Sequence, residues 1–259
     1  MTESTDSFSR PSADTVRTTR SIFHIENLYL SIGDGLDSLW SDINWADLDA
    51  FGDKPSGHLF LLAMVTAFQF AEKLSDQSAA DALRGRTDWK YALHLPLDYP
   101  GLDPAGLAEF RRRLRSNPVG QEVFHQLLAD LAQIGLLGTG DRGEIPVPDV
   151  LAAIECLNRV DELSQAMHLA LENLAATHPE WLQANSLPHW VERYGPARKN
   201  HHDLVFHEDQ RDLLAAFQAD IAYLLGAIAR SGLPDMARMT EIRTLQALSG
   251  EQASRGAVS

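Results

Sequence analysis

Arg84, Arg86 and Lys90 fall within seven residues of chain, where one short helical segment turns into the next. Arg111, Arg112, Arg113 and Arg115 crowd a further helix. Cations spaced in this way dock on phosphate oxygens, and arginine also reads base edges. Gln77 and Ser78 open the helix before that turn and offer neutral groups to a nucleic-acid backbone. The candidate DNA contacts are therefore Gln77, Ser78, Arg84, Arg86, Lys90, Arg112 and Arg115. Arg112 and Arg115, three apart, share one exposed side of their helix. The competing expectation is a solvated surface on which Arg84 or Arg86 pairs with Asp81 or Asp88. Trp89 and Tyr91 suit a core better than a stacking platform.

Other chemistry finds less support. His201, His202 and His207 lack the i, i+4 spacing of a helical zinc pair, and Cys156 is the one cysteine, so loop histidines and no metal site are expected. Cys156 lies in a helical stretch and is read as a small buried hydrophobe. GTGDRG lacks the Lys-Ser/Thr ending of a phosphate loop and the dinucleotide spacing. No acid/base pair converges among the carboxylates of 149–172, so no catalytic residue and no cofactor are assigned.

Charge restricts where nucleic acid can be met. The net charge of −14 argues against indiscriminate binding. Residues 58–118 carry 8 Lys+Arg against 7 Asp+Glu, whereas 119–259 carry 10 against 19. Any DNA contact should come from the middle segment. The polar start has no apolar leader, and no uninterrupted apolar run reaches the ~18 residues of a membrane span. A cytoplasmic chain without a membrane role is the expectation.

The elements that must position these residues are helices. Alternating strand patterns are nearly absent, so the fold class is all-α: a helix-turn-helix-like unit followed by a second helical region. Residues 1–20 are rich in Ser, Thr and Asp and read as a disordered tail. Between Ser21 and Phe51, short helices broken at Gly33 and Gly35 are expected. Leu59–Lys73 is apolar nearly all round and should be buried. Asp76–Leu83 follows, with Ser75 as cap, small Ala79, Ala80 and Ala82, and Gly85 as stop. A helix over Asp88–Leu95 comes next. Asp103 caps a helix with Pro104 at its first position, and Leu107, Phe110 and Leu114 share a face. Val119–Leu137, Asp149–Ala176 and Arg211–Ser231 are also helical. GTGDRGEIPVP is the clearest boundary, dividing 21–140, with its helix-turn-helix at 58–116, from 141–248. A frayed tail, 249–259, is expected.

The strings LSDQSAADALRGRTDWKYAL and EFRRRL, then VLAAIECLNRVDEL, PEWL at 179–182, W-x-x-R-Y-G at 190–195 and EIRTLQAL occur in one order. Together they resemble the InsH-type N-terminal region of bacterial insertion-sequence DDE transposases, over roughly residues 10–250. The resemblance implies DNA binding, and it gives Arg111 and Arg113 a second role as internal braces. It also implies a catalytic Asp in a segment just before VLAAI. Here that segment is EIPVPD and Pro146 stands at the position of the Asp. Proline supplies no ligand to the metal pair on which such chemistry depends. Asp149, three positions on, would face the other side of a strand. The chain ends at Ser259, before the strand-rich half that carries the family's remaining carboxylates. The resulting expectation is a non-catalytic, transposase-derived protein that binds double-stranded DNA. The alternatives are an interaction or homo-oligomerisation module without a DNA role, the DNA-binding half of a split transposase that is still active, and a decayed reading frame.

Overall fold

The computed structural model describes residues 10–42, 56–138, 143–195 and 210–256. Every regular element among them is a helix, so the all-α expectation holds. The chain divides into two compact units, residues 1–154 and 155–259.

In the first unit α1 spans Ala13–Ile22, α2 Leu28–Asp42, α3 Ser56–Glu72, α4 Asp76–Gly85, α5 Thr87–Ala92, α6 Pro104–Ser116 and α7 Pro118–Gln133. The caps follow the sequence signals. Ser75 accepts from the Ser78 amide, Asp103 from Ala105 and Asn117 from Gly120, with Pro104 and Pro118 opening their helices. α3 is buried almost throughout, from Leu59 to Phe68. Leu107, Phe110 and Leu114 of α6 and Phe124, Leu127, Leu128 and Leu131 of α7 complete this core with Trp89 of α5. Three residues, Lys73 to Ser75, join α3 to α4, and Lys73 turns the chain at φ 54°.

The helix α8, Val147–Thr177, is shared. Val150, Leu151 and Ile154 belong to the first core, and Leu157, Val160 and Leu163 to the second. The second unit adds α9 Pro179–Asn185, α10 Trp190–Tyr194, α11 Gln210–Ser231, α12 Pro234–Arg238 and α13 Thr240–Gly256. Its core gathers Trp190, Tyr194, Phe217, Ile221, Leu224, Ile242 and Leu245.

Several expectations are corrected. The tail expected over 1–20 contains α1: Ser12 caps it, and Thr15 and Thr19, one turn apart, are buried and donate to the carbonyls of Leu95 and Thr87 at 3.1 Å each. Polar side chains that satisfy buried carbonyls anchor a helix that hydrophobicity alone would miss. α2 is not broken at Gly33 and Gly35. A Cβ on Gly33 would stand 2.6 Å from the Tyr91 ring and 2.8 Å from the Tyr91 carbonyl, so this glycine admits α5 against α2 rather than ending a helix. The unit boundary lies at 154/155, inside α8, and not at GTGDRGEIPVP, because Ile145, Val147 and Val150 pack into the first core. Residues 146–149 lead into and open α8; Asp149 sits in its first turn rather than on a strand. The tail expected from Ser249 is helical to Gly256. Cys156 is half-buried rather than buried.

Arg211–Ser231 is long and apolar enough by composition to cross a membrane, although Arg211, Asp212, Asp220 and Arg230 interrupt its apolar run. Its buried stripe, Leu213, Phe217, Ile221, Leu224 and Ile228, packs in the second core.

Gly33→Ala should destabilise the first unit by about 1–3 kcal/mol through overpacking against Tyr91. Urea denaturation followed by tryptophan fluorescence measures this; a neutral Gly33→Ala would mean that α2 and α5 do not meet as described.

Candidate nucleic-acid interface

The seven candidate contacts separate into an exposed set and an internal set. Gln77 and Ser78 are exposed on the first turn of α4. Gln77 donates from Nε2 to Asp81 at 3.1 Å, and the Ser78 hydroxyl lies 3.1 Å from that of Ser75. Arg84, near the other end of α4, has a side chain 58% exposed, bonded to Asp81 at 2.9 Å and to the Pro100 carbonyl at 3.3 Å. Arg112 forks onto Glu109 at 2.6 and 2.7 Å, and Arg113 joins the same carboxylate at 2.6 Å. The bonds from Arg112 and Arg113 hold the Glu109 carboxyl down at about 2. Arg115 is exposed in the last turn of α6.

Arg86 is half-buried and Lys90 buried, and both are bonded inward. Arg86 forks onto Asp88 at 2.7 and 3.1 Å and reaches Glu72 through its other terminal nitrogen. Its guanidinium also lies 5.1 Å from the ring centres of both Tyr29 and Trp89. Burial opposes the charge on Arg86, but the bonds from Asp88 and Glu72 outweigh it and raise its pKa further. Glu72 in turn accepts from the Tyr29 hydroxyl and from Trp89 Nε1. Lys90 is 4% exposed and its ammonium donates to the Leu97 carbonyl at 2.6 Å. Burial lowers its pKa, partly offset by Asp98. Trp89 and Tyr91 are core residues, and the Tyr91 hydroxyl bonds Asp34 at 2.5 Å and Arg20 at 2.6 Å.

Arg111 is a brace. It is 4% exposed and bonds Asp76 at 2.5 Å and Gln69 at 3.3 Å, while Gln69 donates to Asp76 at 2.8 Å. This tie sets the second half of α6 beside the first residue of α4. At the other end Gly101, at φ 96°, lies against the Ala80 carbonyl and Arg84. The two helices therefore run antiparallel. Arg115, one turn beyond Arg111, lies past the start of α4.

The second unit holds its own polar centre, which motif spacing did not reveal. Asp220, 4% exposed on α11, accepts from His189 at 2.8 Å, Arg193 at 2.5 Å and the Tyr194 hydroxyl at 2.8 Å. Trp190 Nε1 adds to the same field without full hydrogen-bond geometry. Burial alone would raise the Asp220 carboxyl; the bond from His189, with Trp190, Arg193 and Tyr194, overcomes it and keeps it below its ordinary range. Asp220 stands three residues after Phe217 and four before Leu224, on the buried stripe, which is the signal that exposes such a residue in a sequence. Beside this centre a groove of about 480 Å³ is lined by Leu171, Leu182, Trp190 and Tyr194, with His168 and Glu172 among its polar residues.

His201, His202 and His207 lie outside the described residues. Among the described residues, no three of His, Cys, Asp and Glu gather as a metal would require. Comparison of the chain with protein-family models, with curated proteins and with solved structures returned no match.

Two stability effects follow. Arg86→Ala leaves Glu72 and Asp88 facing each other without their shared cation and should cost about 3 kcal/mol in urea denaturation; a loss under 1 kcal/mol would remove Arg86 from the framework. Asp220→Asn should cost about 3 kcal/mol at pH 7. Because the folded carboxyl lies below the unfolded value of about 3.9, its stabilisation is complete well above pH 4 and is lost as pH falls through the lower folded value. The gap in Tm between wild type and Asp220→Asn should close below about pH 4, and a gap constant from pH 7 to pH 3 would contradict the assignment.

Proposed function

We propose that this chain binds duplex DNA without cutting it, as a non-catalytic relative of insertion-sequence transposases. The observation that carries the reading is the Arg111–Asp76 tie. It brings the most arginine-rich stretch of the chain next to the exposed first turn of α4, which follows a three-residue turn from the buried helix α3. A short second helix joined by a tight turn is an arrangement that enters the major groove, while flanking cations hold phosphates. Within this reading Arg112 and Arg115 are the phosphate contacts, and Gln77, Ser78 and Arg84 face the groove. Arg86 and Lys90 act indirectly, by holding α5 in place. The absence of cleavage rests on Pro146, which offers no ligand where the resembled family has its first catalytic Asp.

Electrophoretic mobility shift against a pool of random duplexes tests the proposal. The wild-type chain should bind with an affinity that falls steeply with salt. Replacing Arg112 and Arg115 together with Ala should weaken binding at least tenfold at low salt. It should also reduce the slope of log K against log salt by roughly 2, about 0.9 for each phosphate that is no longer neutralised. No binding by the wild type at about 50 mM salt, or a double variant with an unchanged slope, would refute it.

A further inference from the structure

One carboxylate stands in the middle of the surface that the proposed function turns towards DNA. Gln77, Asp81 and Arg84 follow at i, i+4 and i+7 and form a single exposed row on α4, opposite the buried Ala79, Ala80 and Leu83. The row is internally bonded. One Asp81 oxygen accepts from Gln77 at 3.1 Å and the other from Arg84 at 2.9 Å. A surface built only to hold phosphates gains nothing from a carboxylate at its centre, because Asp81 repels them.

Resting on the DNA-binding reading, we propose that α4 reads base edges through this row, with Asp81 selecting an amino-bearing base. The three residue types are those whose side chains match base edges in the major groove: glutamine an adenine, a carboxylate the cytosine amino group, arginine a guanine. Seven residues of helix cover about 10 Å, or about three base-pair steps. The internal bonds leave each group with outward capacity. Each Asp81 oxygen keeps a second lone pair, Gln77 keeps its carbonyl oxygen and one amide proton, and Arg84 commits Nε and one terminal nitrogen while its other terminal nitrogen keeps two protons. The side chains are thus oriented before any partner arrives, which lowers the ordering cost of binding. The chain's net charge of −14 acts in the same direction. It depresses attraction to DNA of any sequence, so occupancy of a site must come from base contacts. An ordinary surface helix would carry the same i, i+3 and i, i+4 pairs for a small gain in stability, and the two cases differ in sequence preference.

The test is selection of bound sequences from a random duplex library by the full chain, carried out in parallel with wild type, Asp81→Asn and Arg84→Ala. The wild type should enrich a short motif containing cytosine or guanine. Asp81→Asn should still bind, with preference at one position changed about tenfold or more, and Arg84→Ala should relax a neighbouring position. Asp81→Asn that binds every sequence more tightly and keeps the wild-type motif overturns the proposal and leaves DNA binding intact. Wild-type binding without any motif has the same meaning. No enrichment and no retention of DNA by the wild type overturns both readings.

Discussion

The carboxylate of Glu72, the last residue of the mostly apolar helix α3 and largely shielded from water, is the constraint around which the first unit is arranged. A carboxylate removed from water must be met by donors and opposite charge or the fold is penalised by several kcal/mol. Tyr29 of α2, Trp89 of α5 and Arg86 at the junction of α4 and α5 all converge on it. Arg86 then ties in Asp88, which opens α5. Six residues of helix have little stability alone. α5 persists because it is fastened from several sides: Thr19 of α1 caps its first carbonyl, Tyr91 meets Arg20 and Asp34, and Gly33 lets it lie against α2.

The second unit solves a similar problem with different residues. Asp220, which is buried, takes the place of Glu72, and the donors come from α10 and the residue before it. In both units a recognisable string of residues supplies donors to one acid: Arg86 and Trp89 of R-x-D-W-K-Y to Glu72, and Arg193 and Tyr194 of W-x-x-R-Y to Asp220. Strings of this kind are distinctive because a charge network tolerates few substitutions. Residues that would meet a partner lie on rows with a more ordinary appearance, such as Gln77, Asp81 and Arg84.

This explains which parts of the molecule were legible in the sequence. Helix identity came through where one residue type has one physical meaning. Asp103 before Pro104 starts a helix, and Leu107, Phe110 and Leu114 are its inward face. Burial of Trp89 and Tyr91 was legible for the same reason. What failed were residues with two physical uses. Gly33 breaks a helix or admits a neighbour, and only the position of Tyr91 decides between them. Thr15 and Thr19 mark a solvated tail unless carbonyls stand within reach. Arg86 and Lys90 look like surface cations until Glu72 and the Leu97 carbonyl are placed beside them. The break between the units was hidden because α8, after Pro148 in its first turn, runs through it without any proline or glycine.

A tally of charges along the chain consequently overstates the positive field of the middle segment. Of its eight cations, Arg86, Lys90 and Arg111 are committed to internal acceptors, and Arg84, Arg112 and Arg113 are matched to Asp81 and Glu109. Ion pairs on an exposed face are readily exchanged, since water solvates and screens both partners. Arg112 can therefore give up Glu109 for a phosphate at small cost, whereas Arg86 cannot leave Glu72 and Asp88 without exposing two acids to each other. The molecule thus separates its cations into a fixed set that maintains the scaffold and an exchangeable set that can respond to a partner. A partner of the exchangeable set would be held by a few contacts rather than a broad positive field, and geometry would decide such an interaction more than total charge.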